Sequence, residues 1–224
     1  MLWAMPTQTD LPSPILAAGP RVMTANGVLV LSGPPCSGKS GVGKVLASQS
    51  RLHIEIDSLF SLLLPRSDRN STDRMLAYDA AHLLARMLLK RELTPILECT
   101  YSRLQQRTSL LEAIADIPAA PLWVVEFVVS PDDAVHRFRR SPSHRATDLN
   151  ERTVRERAQT FPYSAQALAL ESETATPEDL AHQITTWLQH QPGPTQRDQW
   201  AAAGNAWPAL HAPLEHRSLG ERTT

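Results

Sequence analysis

The sequence predicts an α/β fold, a parallel β-sheet sandwiched between two layers of helices. Two patterns point to it. Short aliphatic and β-branched runs alternate with stretches of helical period between residues 27 and 190, the order that right-handed strand–helix–strand crossovers require. The first run, Gly27-Val28-Leu29-Val30-Leu31, is apolar on both faces, as a central parallel strand must be, and a glycine-rich loop that opens a helix follows it.

The remaining elements follow in order. Leu52-His53-Ile54-Glu55-Ile56 alternates apolar and polar, the period of a half-covered edge strand. Pro95-Ile96-Leu97-Glu98-Cys99 reads as a third strand with proline at its permitted first position. Leu122 to Val129 is a fourth strand and Ala167 to Leu170 a weak fifth. Helical patterns fill 39–50, 73–91, 104–115, 132–140, 149–160 and 177–190. The last is announced by Thr176 as N-cap, Pro177 at N1 and acidic Glu178-Asp179 in the first turn. The domain is therefore expected over 27–190, with a flexible proline-rich extension over 1–26. A tail over 191–224 is expected to be disordered, or docked through Trp200 and Trp207.

Composition narrows the function classes. The 224 residues are 42% hydrophobic and 20% charged, enough for a core and too apolar for wholesale disorder. A net charge of -1 removes the general case for coating nucleic acid. The basic residues are three lysines and nineteen arginines, which favours planar bidentate recognition of phosphate. Cys36 and Cys99 are too few for a disulfide scaffold, and the eight histidines form no metal-ligand pair on a helix face. No apolar run spans a bilayer and no secretory signal opens the chain, so a cytoplasmic protein is expected.

The chemistry is carried by Gly33-Pro34-Pro35-Cys36-Ser37-Gly38-Lys39-Ser40, a complete Walker A sequence, with Gly41 next and counted with it as nucleotide-binding. Gly33 and Gly38 allow backbone angles that turn successive amides inward as an anion nest, and the following helix adds its N-terminal dipole. Lys39 is placed to reach the β- and γ-phosphate oxygens of ATP, and Ser40 to ligate Mg²⁺. Cys36 reads as a small filler rather than a nucleophile.

Strand ends supply candidate carboxylates. Asp57 follows the second strand and is read either as a base for an attacking hydroxyl or as a helix cap with Ser58. Glu98 near the end of the third strand is read as a Mg²⁺ or substrate contact, or as structural. Glu126, inside the fourth strand, is read as a buried structural partner. The segment from His136 to Arg145 carries Arg137, Arg139, Arg140 and Arg145 into a Ser/Pro loop, as a mobile lid would. Arg137 is assigned to the nucleotide, and Arg140 and Arg145 to charge developing in phosphoryl transfer. Arg152, Arg155 and Arg157 read as surface partners of Glu151 and Glu156.

From Val28 to Pro65 the chain resembles chloramphenicol phosphotransferase, a P-loop kinase grouped with polynucleotide 5′-kinases and zeta toxins. The likeness lies in Gly38-Lys39-Ser40-Gly41 and in Asp57-Ser58-Leu59 running on to Pro65, and weakens through Leu122-Trp123-Val124 to the last helix. It implies a P-loop fold of three layers, adenylate-kinase-like with a short arginine-rich lid, and a five-stranded sheet in the order 2-3-1-4-5. It also implies Asp57 as the base and Lys39 and Ser40 as the ATP and Mg²⁺ contacts. Two departures stand out: Glu98-Cys99-Thr100 lies where relatives more often place Asp, and no glycine precedes that strand.

The expected activity is transfer of the ATP γ-phosphate to a hydroxyl of a small molecule, such as an antibiotic, nucleoside or other natural product. Leu59, Phe60, Leu62 and Leu63 could wall an acceptor pocket, or bury against the sheet. The expected state is a monomer or homodimer. The alternatives are a polynucleotide 5′-kinase, which would need a basic track, and an ATP-binding adaptor without catalysis.

Overall fold

The computed structural model describes residues 26–49, 52–141 and 149–206. Strand β1 (Val28–Ser32) is fully buried and lies between β3 (Pro95–Glu98) and β4 (Leu122–Val128), both parallel to it. Strands β2 (Leu52–Glu55) and β5 (Leu168–Glu171) close the edges, giving the order β2-β3-β1-β4-β5 that the resemblance implies. The polar alternation of β2 thus marks an edge, and the unbroken apolar run of β1 marks the centre.

The side chains of β1 alternate between two cores. Val28 and Val30 join the face covered by α2 (Ile56–Leu63), α3 (Ser71–Leu89) and α4 (Leu104–Ala113). Leu29 and Leu31 join the face covered by α1 (Lys39–Ser48) and α7 (Pro177–Gln189). A smaller cluster joins α5 (Pro131–Arg140) to α6 (Glu151–Gln159) through Ala134, Val135, Val154 and Ala158. Among the described residues no helix is long and apolar enough to cross a membrane.

The structure departs from the sequence reading at two elements. Strand β2 stops at Glu55, and Ile56, read as its last residue, opens α2. The apolar spacing Ile56, Leu59, Phe60, Leu63 is a helical one that outweighs the short alternation before it. The chain also does not leave the domain at 190. The Thr195 amide donates to Leu122 O (2.7 Å), and Thr195 Oγ1 accepts from the Val124 amide (3.1 Å). Helix α8 (Arg197–Ala203) then buries Trp200 completely, so residues 191–206 are docked. Trp207, and residues 1–25 of the N-terminal extension, lie outside the described residues.

A polar chain runs from the surface into the α3–α4 interface. Ser109 Oγ donates to Asp79 Oδ1 (2.6 Å), which leaves its lone pairs for His82 Nδ1–H (2.9 Å). His82 Nε2 then accepts from the Tyr101 hydroxyl (3.0 Å), whose proton burial holds in place. Burial lowers the His82 pKa from 6.5 to about 3, so the neutral ring is the folded form. On acidification the unfolded chain takes the proton first. Stability should therefore fall between pH 6.5 and 3, by up to about 1.4 kcal/mol per pH unit from this group. His82→Asn should flatten that slope in urea unfolding measured at pH 4 and pH 7.

Candidate active site

The turn between β1 and α1 holds the phosphate loop in the predicted form. Gly33 and Gly38 have φ of 147° and 93°, and a Cβ on Gly33 would sit 2.9 Å from the Phe127 carbonyl oxygen. No side chain caps α1 at Gly38, so its first amides face the loop as an anion site would need. The Lys39 ammonium is buried and donates to Gly33 O (2.9 Å), Pro34 O (2.8 Å) and Ser37 Oγ (3.3 Å). Burial lowers its pKa, with Glu98 the first of the opposing charges. The loop thus satisfies its own lysine, and a polyphosphate has to compete for that donor set. Cys36 also lines the site, where burial pushes its thiol up despite Lys39 and Arg137. That fits a neutral filler rather than a thiolate.

Glu98 ends β3 almost wholly buried and is clasped from two sides. Ser40 Oγ donates to its Oε1 at 2.7 Å, and His53 Nε2 meets its Oε2 at 3.0 Å. The Ser40 hydroxyl and Glu98 carboxylate are hard oxygen donors of the kind Mg²⁺ takes beside substrate phosphates and water. His53 was not legible as a site residue, although its place on an edge strand beside a glycine-rich helix offered a hint. Gly43 makes room for it: a Cβ there would meet His53 Nε2 at 2.5 Å. Gly43→Ala should therefore turn the ring away and release one side of Glu98. The expected effect is roughly ten-fold weaker binding of Mg²⁺ with AMPPNP, read by titration calorimetry.

Asp57 sits in the first turn of α2, whose N-cap is Glu55, so the cap alternative is not the one adopted. Its Oδ1 accepts from Arg69 Nη1 (3.1 Å), and Arg69 lies over the Phe60 ring at 4.5 Å. Asp57 and the phosphate loop line one cavity of about 320 Å³, together with Glu98, Phe60, Arg137 and Arg157. Of the four apolar residues considered for an acceptor wall, Phe60 lines the cavity and Leu59 packs on the core. Leu62, about 200° around the helix from Phe60, is exposed, and so is Leu63 at the end of the helix.

The arginines divide. Arg137 Nη1 donates to Cys36 O (3.3 Å) and Arg137 Nη2 to Ser172 O, so this residue braces the loop while facing the cavity. Arg139 is tied to Glu151 by two bonds of 2.8 and 2.7 Å on the surface. Arg140 is exposed and outside the cavity lining, being two positions past the inward Phe138 on the same helix. Arg145 falls outside the described residues. Arg155 pairs with Asp132 rather than with Glu151, and Arg157, read as surface, lines the cavity instead. Arg69 and Arg74 also line it, and neither was read from the sequence as a site residue. Glu126 is a buried structural partner, held by the Ser164 amide (2.7 Å) and Arg107 (3.4 Å).

A parallel sheet in this order, with a glycine-rich loop between its central strand and first helix, defines a P-loop α/β protein. Residues 28–163 match the AAA domain family, and the chain belongs to it. No curated protein matches the sequence. Among solved structures, the chain is similar to a gluconokinase from Sinorhizobium meliloti 1021 (TM-score 0.55, 18% identity, covering 74% of this chain and 93% of that one). It is also similar to shikimate kinase from Acinetobacter baumannii, solved with shikimate (TM-score 0.56, 15% identity, 75% and 96% covered). A third is the Mycobacterium tuberculosis APS kinase, solved with AMPPNP and APS (TM-score 0.54, 16% identity, 73% and 97% covered). What is shared at these identities is the fold.

Proposed function

We propose that the protein is an ATP-dependent phosphotransferase that moves the γ-phosphate to a hydroxyl of a small molecule. The observation that carries this reading is Asp57, a carboxylate lining the same cavity as a complete phosphate loop. In this reading Asp57 accepts the hydroxyl proton as the acceptor attacks, with Arg69 orienting it. Lys39 leaves its loop carbonyls for the β- and γ-phosphate oxygens, and Arg137 and Arg157 add positive charge at the same cavity. Ser40 and Glu98 would hold Mg²⁺, which supplies charge neutralisation at the phosphates. The likeness of Asp57-Ser58-Leu59 to chloramphenicol phosphotransferase supports an alcohol acceptor, an antibiotic or other natural product among the candidates.

The test is mass spectrometry for a gain of one phosphate across hydroxyl-bearing antibiotics, nucleosides and hydroxy acids, with EDTA as the control. At least one acceptor should gain phosphate in the presence of Mg-ATP and none with EDTA. ATP bound but never transferred, with no acceptor-dependent turnover, would overturn the reading in favour of an adaptor.

A further inference from the structure

Helix α3 carries an apolar stripe that the core does not use. Its buried side is formed by Ala77, Tyr78, Ala81, His82, Ala85 and Leu89. Away from that side, Leu76, Leu83, Leu84 and Met87 are 52%, 56%, 41% and 51% exposed, with partly exposed Ala80 among them. At about 100° per residue, Leu76, Ala80, Leu83 and Met87 fall within roughly 60° of the helix circumference, and Leu84 lies about 40° beyond Ala80. Nothing among the described residues covers this stripe. A single exposed leucine is ordinary surface, but four large apolar side chains on three turns of one helix form a patch.

The steps from Leu76 to Ala80, Leu83 and Met87 are four, three and four residues, the a/d seam by which two helices interlock. Asp73 and Lys90 continue the same spacing at its two ends, and their charges set the orientation of a partner helix. Two identical helices packed parallel would bring Asp73 against Asp73 and Lys90 against Lys90. Packed antiparallel about a two-fold axis beside Ala81 and His82, Asp73 meets Lys90 of the second copy and Leu76 meets Met87 of the second copy. Small Ala80 then makes room for Leu83 of the second copy, and Asp79 comes within a turn of Arg86 of the second copy.

The charges at these places are only partly satisfied within the chain. Arg86 and Lys90 share the single carboxylate of Asp116, at 2.6 and 2.8 Å, so net positive charge remains at this end of α3. At the other end, Ser67 Oγ and Asn70 Nδ2 both donate to Asp73 Oδ2, and Ser109 Oγ donates to Asp79 Oδ1. Each carboxylate keeps a second oxygen for a cation.

We propose that this stripe is a homodimer interface, occupied by α3 of a second copy of the chain packed antiparallel across a two-fold axis. The axis makes the patch complementary to itself, as an isologous contact must be, with an apolar centre and a charged rim. One helix face is a small contact, so the dimer dissociates in the micromolar range. Tyr78, on the buried side of α3, lines the active-site cavity, so pairing leaves that side of the helix as it is. The inference does not depend on the phosphotransferase reading.

The experiment is sedimentation velocity of the full chain over about 1 to 200 μM, a range that brackets such an affinity. The expected result is a concentration-dependent shift from monomer to dimer. Leu83→Glu sets a charge beside the axis and should leave a monomer throughout. Lys90→Glu sets a carboxylate against Asp73 and should weaken association by roughly ten-fold or more. Both positions are exposed, so the circular dichroism and melting temperature of each variant should match wild type. Orientation is read by oxidative cross-linking in a Cys36→Ser background, where the remaining Cys99 is buried. An equimolar mixture of Leu76→Cys and Met87→Cys chains should give disulfide-linked dimers. Neither variant should do so alone, because the two copies of either position lie roughly 16 Å apart along the helices.

A monomer at every concentration would overturn the proposal, whether the stripe is bare or is covered by another segment of the chain or by a different protein. So would a dimer that both substitutions leave intact. Leu76→Cys chains that cross-link to themselves would replace the antiparallel pair with a parallel one and overturn it as well.

Discussion

Asp57→Asn is expected to lower kcat for acceptor phosphorylation by a factor on the order of 10² to 10⁴ while leaving ATP binding in place. Asparagine keeps the size of the side chain and an oxygen that can accept from Arg69, so the geometry of α2 survives. What it loses is the capacity to take the hydroxyl proton. Phosphoryl transfer passes through a loose transition state in which proton removal comes late, so the loss belongs near the lower end of that range. The melting temperature should stay near wild type, because Asp57 is partly exposed and does not cap its helix. A variant that phosphorylates acceptor near the wild-type rate would make Asp57 a structural partner of Arg69 and move the base role to Glu98.

Arg107→Met is expected to cost about 3–5 kcal/mol of stability in urea unfolding. Arg107 is completely buried and donates to Tyr101 O (2.7 Å), Trp200 O (2.6 Å) and Pro162 O (2.8 Å), with Glu126 at 3.4 Å. Its guanidinium also lies 5.2 Å from the centre of the Trp200 ring. Methionine fills much of the volume but leaves three carbonyl oxygens without this donor and the Glu126 carboxylate without its counter-charge. Burial already raises the Glu126 pKa, opposed by the Ser164 amide and then Arg107, so removing Arg107 raises it further. The double variant Arg107→Met/Glu126→Gln should recover part of the loss, because the uncompensated charge is gone. Arg139→Ala, by contrast, removes an exposed, solvent-screened pair and should leave the urea midpoint near that of the wild type.

Features written in local sequence were legible. The five strands, their parallel pairing and the phosphate loop follow from apolar runs, helical periods and glycines at Gly33 and Gly38 that a few neighbouring residues define. Asp57 and Glu98 could be named because a strand's carboxyl end is a place that sequence alone identifies. The strand order needed the likeness to a known P-loop kinase, since period does not say which strands are neighbours.

Other features depended on distance in the chain. Arg107 carries no local signal of its role, because it bonds to Trp200 across ninety-three positions. His53 read as the polar half of an alternation until folding set it against Gly43 and Glu98. Arg157 read as a surface charge, whereas the lid arginines Arg140 and Arg145 were the ones assigned to transfer, and the structure lines the cavity with Arg157. The sequence by itself determined the sheet, the loop and the carboxylates at its edge, because backbone angles and apolar periodicity act over a few residues. The tertiary structure decided which arginines face one recess, because the crossovers between strands set the ends of α3, α4 and α6 around one space.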